Sequence, residues 1–189
     1  MIAMIYHQLG RIAQEQHDFA TAEKRCLQSL EIKKEQKDEY STAMTCHQLG
    51  IITEEQRDFI EAEKWYKRAL VICEKQNYQL LAASSYAQLG RMNGKMVQRI
   101  EAGHWLLKAI QNFSGNRDRY NTVRAIRDYF DNLYAADQET RILLRANWQK
   151  SEVDQLVPFI QKVNNIFHEM IERFHHANIL QFNIKTIIR

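Results

Sequence analysis

The sequence predicts an all-α solenoid, a stack of antiparallel helix pairs followed by one long helix, and three observations carry that prediction. The first is a fixed period. Leu9-Gly10, Leu49-Gly50 and Leu89-Gly90 stand forty residues apart, and Ala22, Ala62 and Ala102, Glu23 and Glu63, and Trp65 and Trp105 return at the same spacing. Self-similarity at a period of roughly 20–50 residues marks a stacked repeat architecture. The second is composition: 189 residues contain six Gly and one Pro, with 45% hydrophobic and 26% charged residues. That is too few breakers for a sandwich, a barrel or a long linker, and it suits helices joined by short turns. The third is apolar spacing, which follows the helical period of about 3.6 rather than the strand period of about 2.

The first unit opens directly on "MIAMIYHQLG", the counterpart of residues 41–50, without the turn that precedes the second unit. In the second unit a helix is predicted over Tyr40 to Gln56, with Ala43, Cys46, Leu49, Gly50 and Ile52 on its buried side. "RDF" at residues 57–59 breaks the pattern. A second helix then runs to about Gln76 and buries Phe59, Ala62, Trp65, Tyr66, Ala69, Leu70 and Cys73. Gly50 sits in mid-helix, where a glycine costs about 1 kcal/mol against alanine. It is expected to be there because the neighbouring helix comes too close for a side chain, and Ala62 is expected to serve the same approach from the partner helix.

The third unit has "GKMVQRIEAG" where its turn belongs, and the Leu-Gly landmark disappears after Gly115. "RYNTVRAIRDYFDNLYAAD" and "QETRILLRANWQK" still read as a helix pair in loose register. The predicted divisions are therefore repeats at 1–37, 38–77 and 78–115 and a degenerate fourth pair at 116–150. Terminal units of a solenoid depart from consensus because they cover an otherwise open apolar end.

A large residue, Leu-Gly, an Ala twelve positions on, an aromatic four further and an Ala three after that make a phrase that recurs here. It runs Tyr6, Leu9, Gly10, Ala22, Cys26, Ser29, then Cys46, Leu49, Gly50, Ala62, Tyr66, Ala69, then Tyr86, Leu89, Gly90, Ala102, Leu106, Ala109. This pattern resembles the tetratricopeptide repeat over residues 1 to about 115, and it implies a right-handed α-solenoid. The family's common unit has about 34 residues, so the forty-residue period is closer to the longer variant of kinesin light chains and bacterial regulatory arrays. The proline that commonly closes a unit is absent from all three, consistent with second helices that run on for an extra turn.

Beyond the array, "SEVDQLVPFIQKVNNIFHEMIERFHH" starts with a capping-box pattern at Ser151 and Asp154. It continues as one amphipathic helix over 151–177, with Leu156, Phe159, Val163, Phe167, Met170 and Phe174 on its stripe. That stripe must bury against the end of the array or against a second copy, a homodimer through 152–189. Residues 178–189 change to strand-like alternation at Leu180, Phe182 and Ile184. Such a segment pairs across a dimer, leads into a following domain, or ends a helix. The two termini together suggest a segment of a larger protein.

The formal charge of +3 is mild and its signs are interspersed, so it indicates neither a nucleic-acid nor a membrane partner. No run approaches the roughly 20 apolar residues of a membrane span, and no signal peptide is evident. Cys26, Cys46 and Cys73 form no CxxC pair and read as buried thiols of a reduced, cytoplasmic protein. Of His168, Glu172, His175 and His176, three could converge on one helix face by their i,i+4 spacing, but the set departs from the HExxH zinc signature, so no metal site is assigned. No phosphate loop or nucleophile elbow is present, so the reading is non-enzymatic and without a cofactor. Arg117, Arg119, Arg124, Arg127, Arg141 and Arg145 cluster, yet Asp118, Asp128, Asp131 and Asp137 are interleaved. The pattern favours a salt-bridged face over a nucleic-acid site.

The resemblance implies that the first helix of each unit lines a concave groove for a peptide or partner helix. Counted from the Leu-Gly landmark, its contact positions are Met4, His7, Gln8, Arg11 and Gln14, then Met44, His47, Gln48, Ile51 and Glu54, then Ser84, Ala87, Gln88 and Arg91. The Lys/Asn set that clamps chaperone C-termini is missing from these places. Gln8, Gln48 and Gln88 form a ladder suited to an extended backbone, while Met and Ile offer adaptable apolar contact. The expected function is protein–protein recognition, either as the regulatory or sensor part of a larger protein or as a self-contained dimeric adaptor.

Overall fold

One turn, built six times at intervals of twenty residues, sets the architecture. His17, Lys37, Arg57, Asn77, Val97 and Arg117 all adopt the left-handed conformation, with φ between 55° and 65°. The backbone N–H of each following residue donates to a carbonyl five positions back, as from Asp18 to Ala13, Asp58 to Thr53 and Gln98 to Asn93, each at 2.9 Å. This closure satisfies carbonyls that a helix end leaves without partners. The same following residue then opens the next helix: Asp18, Asp38, Asp58 and Asp118 each accept a bond from the backbone N–H three residues on. Tyr78 and Gln98 make no such cap. Tyr78 instead sets its ring edge-on to Tyr40 at 5.1 Å.

The computed structural model describes residues 2–151 and residue 153. Among these residues are eight α-helices: α1 (Ile2–Glu15), α2 (Phe19–Glu35), α3 (Glu39–Glu55), α4 (Phe59–Gln76), α5 (Gln79–Lys95), α6 (Arg99–Gly115), α7 (Arg119–Tyr134) and α8 (Gln138–Lys150). Each of α1/α2, α3/α4 and α5/α6 packs as an antiparallel pair, and successive pairs join through α2/α3, α4/α5 and α6/α7. The all-α solenoid expected from the period is the observed fold. The extra length of the forty-residue unit is not confined to the second helices, since α3 and α5 run 17 residues, as do α2 and α6. The predicted helix over 151–177, the tail over 178–189, a dimer interface through 152–189 and the cluster of His168, Glu172, His175 and His176 lie outside the described residues.

The mid-helix glycines mark where backbones meet. A Cβ on Gly50 would stand 2.6 Å from the Tyr66 ring, one on Gly10 2.6 Å from Cys26 Sγ, and one on Gly90 2.5 Å from Leu106. Ala22, Ala62 and Ala102, fully buried, face this approach from the partner helices. Tyr66, Cys26 and Leu106 are one position of the repeat filled three ways, which is why a thiol can stand where the next unit has a phenol. In the fourth unit Phe130 occupies the glycine position, so α8 cannot come as close to α7. It leans instead on α6, where Leu144 lies over Gly103. Trp148 fills the resulting space against Tyr129 and Phe130 at centroid distances of 5.0 and 5.1 Å. Ser151, read from sequence as the start of a capping box, closes α8, its hydroxyl donating to the Trp148 carbonyl at 2.6 Å.

The apolar positions of α1 are not covered like their counterparts. Leu9 is 41% exposed, whereas Leu49 and Leu89 are fully buried. Ile2, Ile5 and Ile12 are exposed with it, because no described helix packs on that side of α1.

Two stability predictions follow from this geometry. Val97 is a β-branched residue at φ 64° and lies in the turn at the surface, a conformation that costs an L-residue about 1–2 kcal/mol. Val97→Asn, which copies Asn77 at the equivalent turn, is expected to raise the unfolding free energy by about 1 kcal/mol in urea titration. Gly50→Ala is expected to lower it by about 1–2 kcal/mol, since overpacking against the buried Tyr66 ring outweighs the gain in helix propensity. Gly115→Ala, with nothing within 4 Å of a new Cβ, should show that gain alone.

Candidate functional site

The first helices of the pairs form the inner layer. α3 touches α5 and α5 touches α7 directly, and the positions chosen from the Leu-Gly landmark fall along this layer. Because each unit is forty residues, side chains stand in columns that cross the helices: Met4, Met44, Ser84 and Arg124 make one, and Gln8, Gln48, Gln88 and Asp128 another. The columns therefore extend onto α7. The Leu-Gly count stopped short of it because the landmark is replaced by Tyr129-Phe130, although counting by forty reaches Arg124 and Asp128.

The structure separates the sequence-predicted contact residues into two groups. Met4, Gln8, Arg11 and Met44 are exposed on the inner layer, with Met4 at 66% and Met44 at 38%. The others are engaged within the solenoid. Gln48 donates its amide N–H to Gln14 Oε1, linking α3 to α1. Ile51 packs against the core. Glu54 accepts from Tyr66 Oη at 2.8 Å and pairs with Lys95 at 2.7 Å. This carboxylate, together with burial, holds the Tyr66 phenol far above its ordinary pKa, burial being the larger cause. Arg91 spends its guanidinium on Gln88 Oε1 and on Asp128, the latter at 2.8 Å.

His47 and His7 occupy equivalent places with different partners. Ser85 Oγ donates its only hydrogen to the Leu81 carbonyl, so the 2.9 Å bond between Ser85 and His47 Nδ1 has the imidazole as donor. The residue matching Ser85 one unit earlier is not serine but Thr45, 38 positions after His7. Thr45 donates its only hydrogen to the Ser41 carbonyl and accepts from the buried Lys33 ammonium at 2.8 Å, so it has no hydrogen left to donate to His7. His7 Nδ1 is buried with no hydrogen-bond partner among the described residues. Burial first, then Lys33 and Arg11, lowers the His7 pKa from 6.5 to about 4. Burial and Arg91 do the same for His47. Both imidazoles are neutral at pH 7.

A cavity of about 190 Å³ opens between α3, α5 and α7. His47, Gln88 and Arg91 line one side, Asn121 and Arg124 the other, and Phe113 of α6 forms part of its wall. The interleaved aspartates around these arginines are put to several uses, and Asp131 stands within electrostatic reach of Arg127. Asp118 and Asp137 cap α7 and α8, Asp128 crosses to Arg91, and Arg141 donates to the carbonyls of Leu133, Tyr134 and Ala136 at the end of α7. Among the described residues no group of three or more His, Cys, Asp or Glu could hold a metal ion, and no helix is long and apolar enough to cross a membrane. Cys26, Cys46 and Cys73 are free and buried, and burial raises the Cys26 and Cys73 thiols to about 11.

Repeated helix pairs with an inner layer of side chains presented in columns define an α-solenoid of the class that mediates protein–protein interaction. Residues 1–75 match the family model described as Tetratricopeptide repeat. Among solved structures, the crystal structure of BtubC (BKLC) from P. vanneervenii is similar in fold, with a TM-score of 0.65 at 17% identity. The match covers 81% of this chain and 64% of that one, so this chain spans less than two thirds of that neighbour's length. No curated protein matches the sequence.

The two neutral histidines make a pH prediction. Unfolded imidazoles take up protons near pH 6.5 and the folded ones near pH 4. Their contribution to stability is therefore complete above about pH 6.5 and lost as pH falls to about 4, on the order of 3 kcal/mol for each. The capping carboxylates Asp18, Asp38 and Asp137, whose pKa values are lowered, lose theirs only in stronger acid. Urea midpoints measured from pH 7.5 to 4 should fall steadily, and the variant His7→Gln, His47→Gln should flatten that slope.

Proposed function

We propose that the chain is a non-enzymatic, intracellular scaffold that binds a peptide or partner helix on the inner layer of α1, α3, α5 and α7, as a regulatory or sensor segment of a larger protein. The observation that carries this reading is the division of labour on that layer. Gln48, Glu54, His47 and Arg91 are held by cross-helix bonds, while Met4, Gln8, Arg11 and Met44 remain exposed beside them. A surface whose polar groups are already fixed loses little freedom when a ligand arrives, so binding costs less. The methionines supply contact area that adapts to different side chains. A homodimer through 152–189 is the second reading, motivated by the apolar stripe of that segment in the sequence.

The test is a pull-down from lysate of the source organism, quantified by mass spectrometry. It compares the native chain with Met4→Glu, Arg11→Glu, Met44→Glu on the inner layer and with Lys24→Glu, Lys67→Glu on exposed positions of α2 and α4. The inner-layer variant is expected to lose the specific partner by about tenfold or more, as two desolvated anchors would, and the outer variant to keep it. A partner retained by both places the binding elsewhere and defeats the groove reading. Sedimentation of the native chain as a dimer, abolished by Phe167→Glu, would support the second.

A further inference from the structure

We infer that the cavity between α3, α5 and α7 seats a carboxylate, the side chain of an aspartate or glutamate carried by the bound peptide. The inference rests on the groove reading and names the chemistry of one of its subsites. No Asp or Glu lines the cavity, while two guanidiniums do. Arg91 is fixed in place: three of its five N–H donors go to Gln88 Oε1 and Asp128, and the remaining two are held in a set orientation. Those bonds also consume the acceptor of Gln88, so the Gln88 amide has only N–H groups left to offer. Arg124 is exposed at the opposite wall and forms no ion pair among the described residues. The lining is therefore rich in donors, and it favours an acceptor with negative charge.

Charge selects a monoanion. Asp128 already neutralises Arg91, so Arg124 is the one uncompensated charge at the cavity, matched by a single carboxylate. A phosphate group carries about −1.5 to −2 at pH 7 and would leave excess negative charge half-buried, an unfavourable arrangement. His47 adds a second determinant. With its Nδ1 donating to Ser85, its Nε2 is an acceptor, suited to a backbone N–H of the peptide.

The experiment selects a phage-displayed random peptide library on the whole chain and measures the best synthetic peptide by fluorescence anisotropy. The expected consensus has Asp or Glu at one position. Arg124→Gln is expected to weaken that peptide by about tenfold, the scale of one charge-assisted hydrogen bond. Amidating the acid (Asp→Asn or Glu→Gln in the peptide) should cost the same, and the two losses should not add when combined, which identifies the pair. A phosphoserine at the acidic position should bind more weakly than the acid. A consensus without an acid, or additive losses, overturns the carboxylate seat while leaving the groove reading intact, provided Met44→Glu still abolishes binding. Sodium acetate that binds as well as the peptide overturns the peptide as source of the carboxylate. Peptides indifferent to Met4→Glu and Met44→Glu, or a library that yields no binder, defeat both readings.

Discussion

Everything in this solenoid depends on the backbone bond that follows each left-handed residue. Because that N–H reaches the carbonyl five residues back at each of the six turns, each helix from α2 to α7 leaves its predecessor in nearly the same direction and at the same interval of twenty residues. Two helices then occupy forty residues, and a given inner-layer position returns in register in the next unit. A turn one residue longer would rotate the following helix by about 100°, carrying its groove residues into the core and its core residues into water. The columns of the inner layer are a product of turn stereochemistry before they are a product of side-chain choice.

The columns also explain how polar residues are fixed. Neighbouring units offer each other hydrogen-bond partners at constant offsets, and the chain uses them unevenly. His47 finds Ser85, while His7 finds Thr45 already occupied by Lys33 and Ser41. Gln48 meets Gln14, and Arg91 meets the aspartate that succeeds the glutamines in their column. Such bonds cross from unit to unit and tie the first helices together where packing alone would let them splay. Polar side chains on the groove thereby act as part of the fold as much as part of a binding surface.

Much of this was legible in the sequence. The period, the helix pairs and the small residues at close approach could all be read, since Gly10, Gly50 and Gly90 are conspicuous in helices that otherwise avoid glycine. What escaped has a physical reason in each case. Val97 in a left-handed turn contradicts local preference, and only the constraint from flanking helices places it there. The inward engagement of Glu54 and His47 depends on partners 12 and 38 residues away, distances to which helical periodicity is blind. The position of α8 turns on Phe130 replacing a glycine, a substitution recognisable only after the fourth unit is aligned to the first three. Arg124 looks like part of a salt-bridged patch in the sequence because charge order alone does not reveal that Asp118 and Asp137 cap helices.

The uncovered side of α1 sets the described helices on an unequal footing. In a stack where each unit is stabilised by its neighbours, the free energy to open a helix is set by how many interfaces it shares. α5 and α6 are flanked on both sides, whereas α1 rests on α2 alone for most of its packing and leaves Ile2, Ile5 and Leu9 facing outward. Among the described residues, α1 shares fewer interfaces than α5 or α6 and so is held by fewer contacts. A ligand that touches both Met4 and Arg124 would connect the least covered of the described helices to the far end of the stack. Its occupancy would then report on the whole array, so that a weak contact at one end is converted into resistance to fraying along the entire chain.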